Sequence, residues 1–295
     1  MRLALLALVL AGVSATAGAR ENLRLPWVFS DQPDLTADLG FSPAAGPGKT
    51  HVDLVLGGRF AHFGLPSGAV RAPQLDITCS FTDPSRLERS AVTLATRADL
   101  ELFLAGYGLR FAPRWFGSDS PLLYKAELET DLAPGDYNLS LAMQDKGMGI
   151  DSRRTLHVIV PELAAGQWQV GDLRFITAVG KQLDAKGREQ RLLDPNPWRQ
   201  VGGALGWDLL VAYADLGPRP AGVLSRVHRV RRLRSGDLVW QEAGPAPAKR
   251  GGQVWLVRVP EATVRQWKGG IYQLEVELSA GGRTVTSSKT FEVLP

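Results

Sequence analysis

The chain has 295 residues, a formal net charge of +4, and a composition of 44% hydrophobic and 22% charged residues. This length accommodates two domains of roughly 100–150 residues, and the composition excludes a wholly disordered chain. The only cysteine is Cys79, so no intrachain disulfide can form and the fold must be held by packing.

The first residues have the pattern of a secretory signal peptide. A positive start is followed by an apolar stretch over residues 3–13 and by the small-residue sequence Ala-Gly-Ala at 17–19. The apolar stretch is well short of the ~20 residues that a membrane-spanning helix needs. We therefore expect residues 1–19 to be cleaved from a bacterial protein that is periplasmic or secreted, with neither a membrane span nor a lipid-anchoring cysteine.

The first module is predicted at residues 51–161. Residues 20–50 are rich in Pro, Gly, Ala and Asp without sustained periodicity, which predicts an irregular N-terminal lead. Seven short segments then follow at the spacing of an immunoglobulin-like (fibronectin III-like) antiparallel β-sandwich. The predicted strands are Val52–Leu56, Leu75–Phe81, Ala91–Thr96, Leu100–Phe111, Leu122–Glu129, Tyr137–Met143 and Thr155–Val160.

Alternation also predicts the state of the thiol. In the strand Leu75–Phe81, Cys79 shares a face with Ile77 and Phe81, while the polar residues between them face the other way. No cationic residue lies beside Cys79 in sequence to lower its pKa. The pattern therefore predicts a buried, inert cysteine.

The second module is predicted at residues 162–295. Its segments again read as strands, interrupted by residues 178–206, which show little alternation and are predicted to be a long loop. The predicted strands are Trp168–Thr177, Asp208–Ala214, Ser225–Leu233, Asp237–Glu242, Gln253–Val259, Ile271–Leu278 and Thr284–Leu294.

A sequence repeat relates the two modules. Gly135–Leu141 (GDYNLSL) recurs 135 residues later as Gly270–Val276 (GIYQLEV), and Arg154–Val158 recurs at the same separation as Lys289–Val293. The repeat predicts two tandem sandwiches in an all-β chain. It also predicts that the tyrosine of each first block lies in the penultimate strand of its module.

Charge is divided unevenly between the modules. Residues 21–160 carry 13 Lys/Arg against 17 Asp/Glu, a net −4, and residues 161–295 carry 19 against 13, a net +6. On a strand, the most basic segment would place arginines on both faces, which favours an exposed edge or hairpin whose charges block strand pairing. The alternative is a site for an anionic envelope polysaccharide, lipid headgroup or acidic protein; export argues against nucleic acid. The segment consists of Arg226, Arg229, Arg231, Arg232 and Arg234.

Catalytic and metal-binding motifs are weak. No two of the histidines share a metal-ligand spacing, and Glu127 and Glu129, roughly 7 Å apart on one strand face, are typical of a solvated sheet face. The sequence therefore predicts no catalytic residue, no metal, no cofactor and no enzyme activity. The four histidines are His51, His62, His157 and His228.

Tryptophans offer a possible binding surface. Trp240 and Trp255 lie within alternating strands and are predicted to be core residues. Trp198 and Trp207 flank a stretch with Asn196 and Arg199, so they are either stacking platforms for a sugar or anchors of the loop.

One stretch carries a family resemblance. Residues 193–199 (LDPNPWR), an aromatic strand and the late sequence GGIYQLEV ending in Phe291–Val293 resemble the β-sandwich modules of bacterial GWxTD-domain-containing proteins. The Gly-Trp-x-Thr-Asp sequence itself is absent. The resemblance implies an exported protein and supplies no catalytic residue.

The leading hypothesis is a non-catalytic protein whose sandwiches serve as structural or protein-interaction modules in the bacterial envelope. The alternatives are a carbohydrate-binding module that uses Trp198 and Trp207, and a hydrolase whose site no motif reveals.

Overall fold

A computed structural model describes residues 27–29, 35–59, 74–85, 90–99, 123–145, 149–163, 166–183, 189–246 and 254–295. The predicted signal peptide and the predicted strand Leu100–Phe111 lie outside these residues. The described part is all-β apart from the single-turn helix α1 (Glu261–Val264) and a 3₁₀ turn at Gly203–Leu205.

The strands of the first half are β1 (Trp27–Phe29), β2 (Leu35–Pro43), β3 (Thr50–Arg59), β4 (Gln74–Thr82), β5 (Ser90–Asp99), β6 (Leu123–Leu132), β7 (Gly135–Asp145) and β8 (Ile150–Val160). Those of the second half are β9 (Gln169–Val170), β10 (Arg174–Leu183), β11 (Glu189–Pro195), β12 (Gln200–Val201), β13 (Leu209–Leu216), β14 (Ser225–Arg232), β15 (Leu238–Pro245), β16 (Val254–Val259), β17 (Gly270–Ala280) and β18 (Arg283–Val293).

Each half of the chain folds into two sheets around its own hydrophobic core. The first half has sheets in the orders β1-β2-β3-β6 and β5-β4-β7-β8, and the second half has β11-β10-β13-β16 and β12-β18-β17-β14-β15. Strands β2 to β8 and the strands β10 and β13 to β18 therefore follow the same path through their sheets. The predicted immunoglobulin-like β-sandwich class is confirmed, and the shared topology explains the sequence repeat.

The two repeated tyrosines occupy equivalent strands, as the repeat predicts. Tyr137 lies in β7 between β4 and β8, and Tyr272 lies in β17 between β14 and β18. Both rings are buried, and each hydroxyl donates to the carbonyl oxygen four residues earlier, at 3.0 Å to Ala133 and 2.6 Å to Lys268. Each tyrosine thereby ties the start of its strand to the preceding turn.

The closing strands of the two halves pair with an offset of two residues, although the sequence blocks keep the same spacing. Tyr137 pairs with Val158, whereas Tyr272 pairs with Phe291, two positions before the residue that the repeat predicts. Four residues connect β7 to β8, but only Gly281 and Gly282 connect β17 to β18, and their positive φ values of 54° and 73° suit a tight hairpin turn. A two-residue difference leaves each side chain on the same face, because the strand period is two.

The predicted irregular lead contains a central strand. Strand β2 pairs with β3, and residues 35–41 are buried without alternation. One face packs on the first core, while the second half of the chain covers the other face. A strand buried on both faces has no alternating pattern for sequence reasoning to detect.

The predicted long loop at residues 178–206 is also wrong in large part. Strand β10 continues to Leu183, β11 pairs with it, and β12 adds a short parallel pair with β18. Because β11 lies at the edge of its sheet, its sequence is polar and alternates weakly.

Cys79 is buried in β4 with 0% of its surface exposed, as predicted. Burial raises the pKa of its thiol to about 12. We expect a thiol-reactive reagent to leave the native protein unlabelled at neutral pH and to label one site after denaturation. Mass spectrometry before and after addition of denaturant checks this; rapid stoichiometric labelling of the native chain would contradict it.

Candidate functional site

The main polar site of the described structure is the junction between the two sandwiches. Along β2, the side chains that do not face the first core, among them Thr36 and Asp38, are buried as well. Arg199, in the turn after β11, and Lys289 of β18 contact Asp38. The sequence thus places charged side chains in a contact that both halves must form together.

The turn at residues 196–199 enters this junction. The Arg199 amide donates to the Asn196 carbonyl at 3.1 Å, and the Asn196 side-chain amide donates to the Gln200 carbonyl at 2.8 Å. Arg199 is the one non-glycine residue with positive φ, 47°, in the part of the chain that the structure describes. Such a conformation costs about 1–2 kcal/mol, which indicates that the surrounding contacts hold Arg199 in place.

Arg199 and Lys289 form a buried network with the first module. Arg199 Nε donates to Asp38 Oδ1 at 2.9 Å. Lys289 Nζ donates to the Leu39 carbonyl at 2.9 Å and lies 3.1 Å from Asp172 Oδ2 and 3.5 Å from Asp38 Oδ1. Asp38, Arg199 and Lys289 are therefore paired away from solvent, beside the partly exposed Asp172, and this arrangement demands a defined relative position of the modules.

The carboxyl of Asp38 makes this junction sensitive to acid. Burial alone would raise its pKa, but the charges and hydrogen bonds of Arg199 and Lys289 outweigh burial and hold the pKa below the usual range of an aspartate. A lowered folded-state pKa gives stability that is fully present above the unfolded-state pKa and lost as the pH falls through the folded-state value. We expect this contribution to be constant between about pH 7 and pH 5 and to decline below about pH 4. Urea unfolding over this range should show a shallower acid slope in Asp38→Asn; an identical slope would contradict the assignment.

A second group of contacts borders this network. Lys125 Nζ of β6 donates to Thr177 Oγ1 at 3.0 Å and to Asp194 Oδ2 at 2.7 Å. Arg174 of β10 donates to Asp53 Oδ2 of β3. Together with the contacts of Asp38 in β2, these polar pairs link three strands of one sheet of the first module, β2, β3 and β6, to the second module.

Gly57 allows the closest approach at the junction. A Cβ atom at this position would lie 2.2 Å from Pro197 Cγ and 3.0 Å from Trp198 Cζ2. Its backbone does not require glycine, since its φ lies outside the positive range. Space for the turn at 196–199 is therefore the structural reason for glycine at this position of β3.

Of the four predicted sugar-binding residues, three lie at this junction, and Trp207 packs against the second core. Asn196 and Arg199 are buried at the junction, so they are not side chains of an open loop. Trp198 and Trp207 are half-buried, with Lys125 Nζ 5.9 Å from the Trp198 ring centroid and the Arg265 guanidinium 4.6 Å from that of Trp207. Each ring therefore presents one face to a cation of the chain itself. Trp240 and Trp255 pack in or against the second core, as predicted.

The basic segment forms the inner strand of a hairpin. Of the two expected settings, an exposed edge or a hairpin, the structure shows the hairpin: β14 pairs with β15, which forms the sheet edge, and β14 itself lies between β15 and β17. Arg229 Nη1 donates to Glu275 at 2.7 Å and to Glu277 at 2.8 Å on the neighbouring strand. Arg229 thus belongs to the sheet's own cross-strand pairing.

The end of this hairpin is exposed; we call residues 231–238 the hairpin tip. Arg231 and Arg232 direct guanidinium groups to the carbonyls of Gly236 and Gly269, at 3.4 and 3.3 Å. Among them lies Leu233, which is 51% exposed. The tip therefore combines positive charge with an accessible aliphatic side chain.

The junction carboxylate and amine were not found by sequence reasoning. Asp38 lies in the stretch predicted to be irregular, and Lys289 lies in a predicted strand where a lysine is ordinarily solvated. The sequence does contain one signal: Lys289 lies two and four residues before the core residues Phe291 and Val293, so all three side chains share one face of the strand. A lysine in register with apolar residues indicates burial with a partner.

No family model and no curated protein sequence matches the chain. Among solved structures, trypsin-activated α2-macroglobulin of Escherichia coli matches at 12% identity over 92% of this chain and 17% of that chain, with a TM-score of 0.25. Red sea bream transglutaminase matches at 10% identity, over 88% and 31% of the two chains, with a TM-score of 0.22. The FN1–FN3 domains of chicken CNTN1 match at 7% identity, over 88% and 65%, with a TM-score of 0.21.

The chain spans less than a third of the first three structures that it matches. Similarity at this level transfers no activity to it. Within the described ranges, no helix has the length and apolar character needed to cross a membrane.

Proposed function

We propose that the chain is an exported, non-catalytic protein of the bacterial envelope, in which the two sandwiches act as one rigid structural and protein-interaction unit. The observation that carries the proposal is the buried charge network of Asp38, Asp172, Arg199 and Lys289 across the junction. Flexibly linked modules would leave these groups in water. Their desolvation is tolerated only if the modules stay in one orientation.

The hairpin tip is the surface that we propose contacts a partner. Because β14 is an inner strand, its arginines do not protect a strand edge directly. Arg229 is held by two glutamates of β17, whereas Arg231 and Arg232 lie at the hairpin tip, where we propose that they bind the partner. Arg231 and Arg232 with Leu233 suit an acidic protein surface that also offers an apolar contact. The proposed partner class is therefore an acidic envelope protein.

The test uses the chain without residues 1–19, immobilised and exposed to solubilised envelope proteins. Retention of a discrete partner should fall at least tenfold in the variant Arg231→Gln/Arg232→Gln/Leu233→Asn, and should weaken as salt rises. The matched control, Arg153→Gln/Arg283→Gln, removes the same charge from two other exposed positions and should bind like the wild type. Equal retention by the tip variant and the wild type would refute the role of the tip.

The same preparation separates the rival functions. A carbohydrate-binding module would show saturable binding to an envelope polysaccharide that quenches the fluorescence of Trp198 and Trp207. A hydrolase would release products from glycoside or ester substrates. Either result would overturn the non-catalytic protein-interaction assignment.

A further inference from the structure

A histidine and three carboxylates meet on the outer face of the first module. Strands β3 and β6 are paired so that Asp53 lies opposite Glu129 and His51 lies opposite Asp131. These four residues share one face, because the residues between them, such as the buried Val52, point into the core. Two same-face pairs that are remote in sequence thus form a cluster at the border of the junction.

The distances within this cluster suit a single bound ion. His51 Nε2 lies 3.4 Å from Asp53 Oδ1 and 3.9 Å from Glu129 Oε2. One ligand atom from each of the three residues lies within 4.8 Å of the others. With metal–ligand bonds of about 2.1 Å, two ligands of a tetrahedral ion are roughly 3.4 Å apart, so the three atoms can share one ion after small side-chain adjustments.

Two neighbouring groups orient the ligand atoms. Asp131 Oδ1 lies 2.7 Å from His51 Nδ1 and accepts a hydrogen bond from the Nδ1–H group. In this tautomer Nε2 carries a lone pair, which faces Asp53 and Glu129. Arg174 donates to Asp53 Oδ2 and leaves Oδ1 directed toward the histidine. A carboxylate behind a ligating histidine is the usual arrangement at protein metal sites.

Electrostatics also favours a cation between these groups. In the neutral tautomer, the Nε2 lone pair and two carboxylate oxygens are all acceptors, and they face one another. The cluster holds three carboxylates around His51, and the guanidinium of Arg174 contacts one of them, Asp53, so the cluster retains negative charge with Arg174 in place. A divalent ion would convert the mutual repulsion of the acceptors into coordination.

We propose that His51 Nε2, Asp53 Oδ1 and Glu129 Oε2 form a binding site for a divalent transition-metal ion of the Zn²⁺ type. One imidazole with two carboxylates favours Zn²⁺ over Mg²⁺ or Ca²⁺, which prefer oxygen ligands alone. Glu129 is 60% exposed, so the ion can enter from solvent and a water molecule can complete its shell. Bound there, the ion would tie β3 to β6 and, through Asp53 and Arg174, reinforce the junction.

The test uses untagged chain lacking residues 1–19, freed of metal with EDTA and then dialysed. Calorimetric titration with Zn²⁺ should show one ion per chain and a rise in the melting temperature. We expect His51→Gln and Glu129→Gln to weaken Zn²⁺ binding by about 100-fold, and Asp131→Asn by about 10- to 100-fold. Co²⁺ in place of Zn²⁺ should give an absorption spectrum of a low-coordinate site, lost in His51→Gln.

The control is His157→Gln, which removes another partly exposed histidine, 3.3 Å from Asp136 on the other sheet, and should leave Zn²⁺ binding unchanged. Glu129→Gln keeps the test valid if replacement of His51 disturbs the fold, because Glu129 is largely exposed. The proposal is overturned if 1 mM Zn²⁺ gives neither heat nor a melting shift, if binding persists in both ligand variants, or if Mg²⁺ binds as tightly as Zn²⁺.

Discussion

Asp38→Asn should lower the free energy of unfolding by about 3–5 kcal/mol, the usual cost of removing one partner from a buried ion pair. The substitution keeps the shape of the side chain but leaves two buried cations, Arg199 and Lys289, facing one remaining carboxylate, Asp172. Urea unfolding at neutral pH, followed by tryptophan fluorescence, measures the loss. Small-angle scattering should also show a larger radius of gyration if the modules separate before they unfold.

Asp76→Asn is the matched control for this experiment. Asp76 makes the same kind of contact with Arg97, at 2.6 Å, but both side chains are 58% exposed. Solvent screens such a pair, so its loss should change the free energy of unfolding far less than the loss of Asp38 does. Equal, small losses in the two variants would mean that the junction network does not hold the modules together.

The sandwich class could be predicted because it depends on local patterns. In β4, and in β17 from Tyr272 onward, polar and apolar residues alternate strictly, and the structure buries the apolar set of each strand. The burial of Cys79 follows from the same alternation. The repeated blocks around the two tyrosines also indicate that both halves share one topology. The pattern of a single strand cannot show this.

The junction could not be predicted because it depends on how the modules meet. Strand β2 has no alternating pattern because both of its faces are buried. Arg199 is predicted to be a loop residue because its partner, Asp38, is 161 positions away in the sequence. The local sequence around either residue of a long-range ion pair does not indicate which distant residue is its partner.

The candidate metal site illustrates the same limit. His51 and Asp53 form one same-face pair and Glu129 and Asp131 another, and each pair alone is typical of a solvated strand. Only the register of β3 against β6, which places residues 51 and 131 opposite each other, brings the ligand atoms together. Register between strands that are distant in sequence is set by the whole sheet.

Gly57→Val should lower the free energy of unfolding by about 2–3 kcal/mol, although valine is favoured over glycine in a β-strand. The added side chain would overlap Pro197, whose Cγ lies 2.2 Å from the position of the new Cβ. Since Gly57 faces away from the first core, the overlap should open the junction and leave the sandwich itself intact. Scattering should report the opening, and a red shift of tryptophan emission should report exposure of Trp198.

Gly244→Val controls for the intrinsic effect of valine in a strand. Gly244 also lies in a strand, β15, and nothing lies within 4 Å of the position of its Cβ. This variant should be neutral or slightly more stable than the wild type. Similar stabilities for the two valine variants would show that the turn at 196–199 is not tightly seated on β3.

Combining Gly57→Val with Asp38→Asn tests whether both act through the same junction. If valine has already separated the modules, Arg199 and Lys289 are hydrated and the carboxylate of Asp38 is no longer needed to balance them. The cost of Asp38→Asn should then fall from about 3–5 kcal/mol to about 1 kcal/mol, a strongly non-additive result for two residues that act on one interface. Additive costs would instead mean that the charge network stabilises its surroundings without depending on contact between the modules, and the rigid-unit proposal would lose its main support.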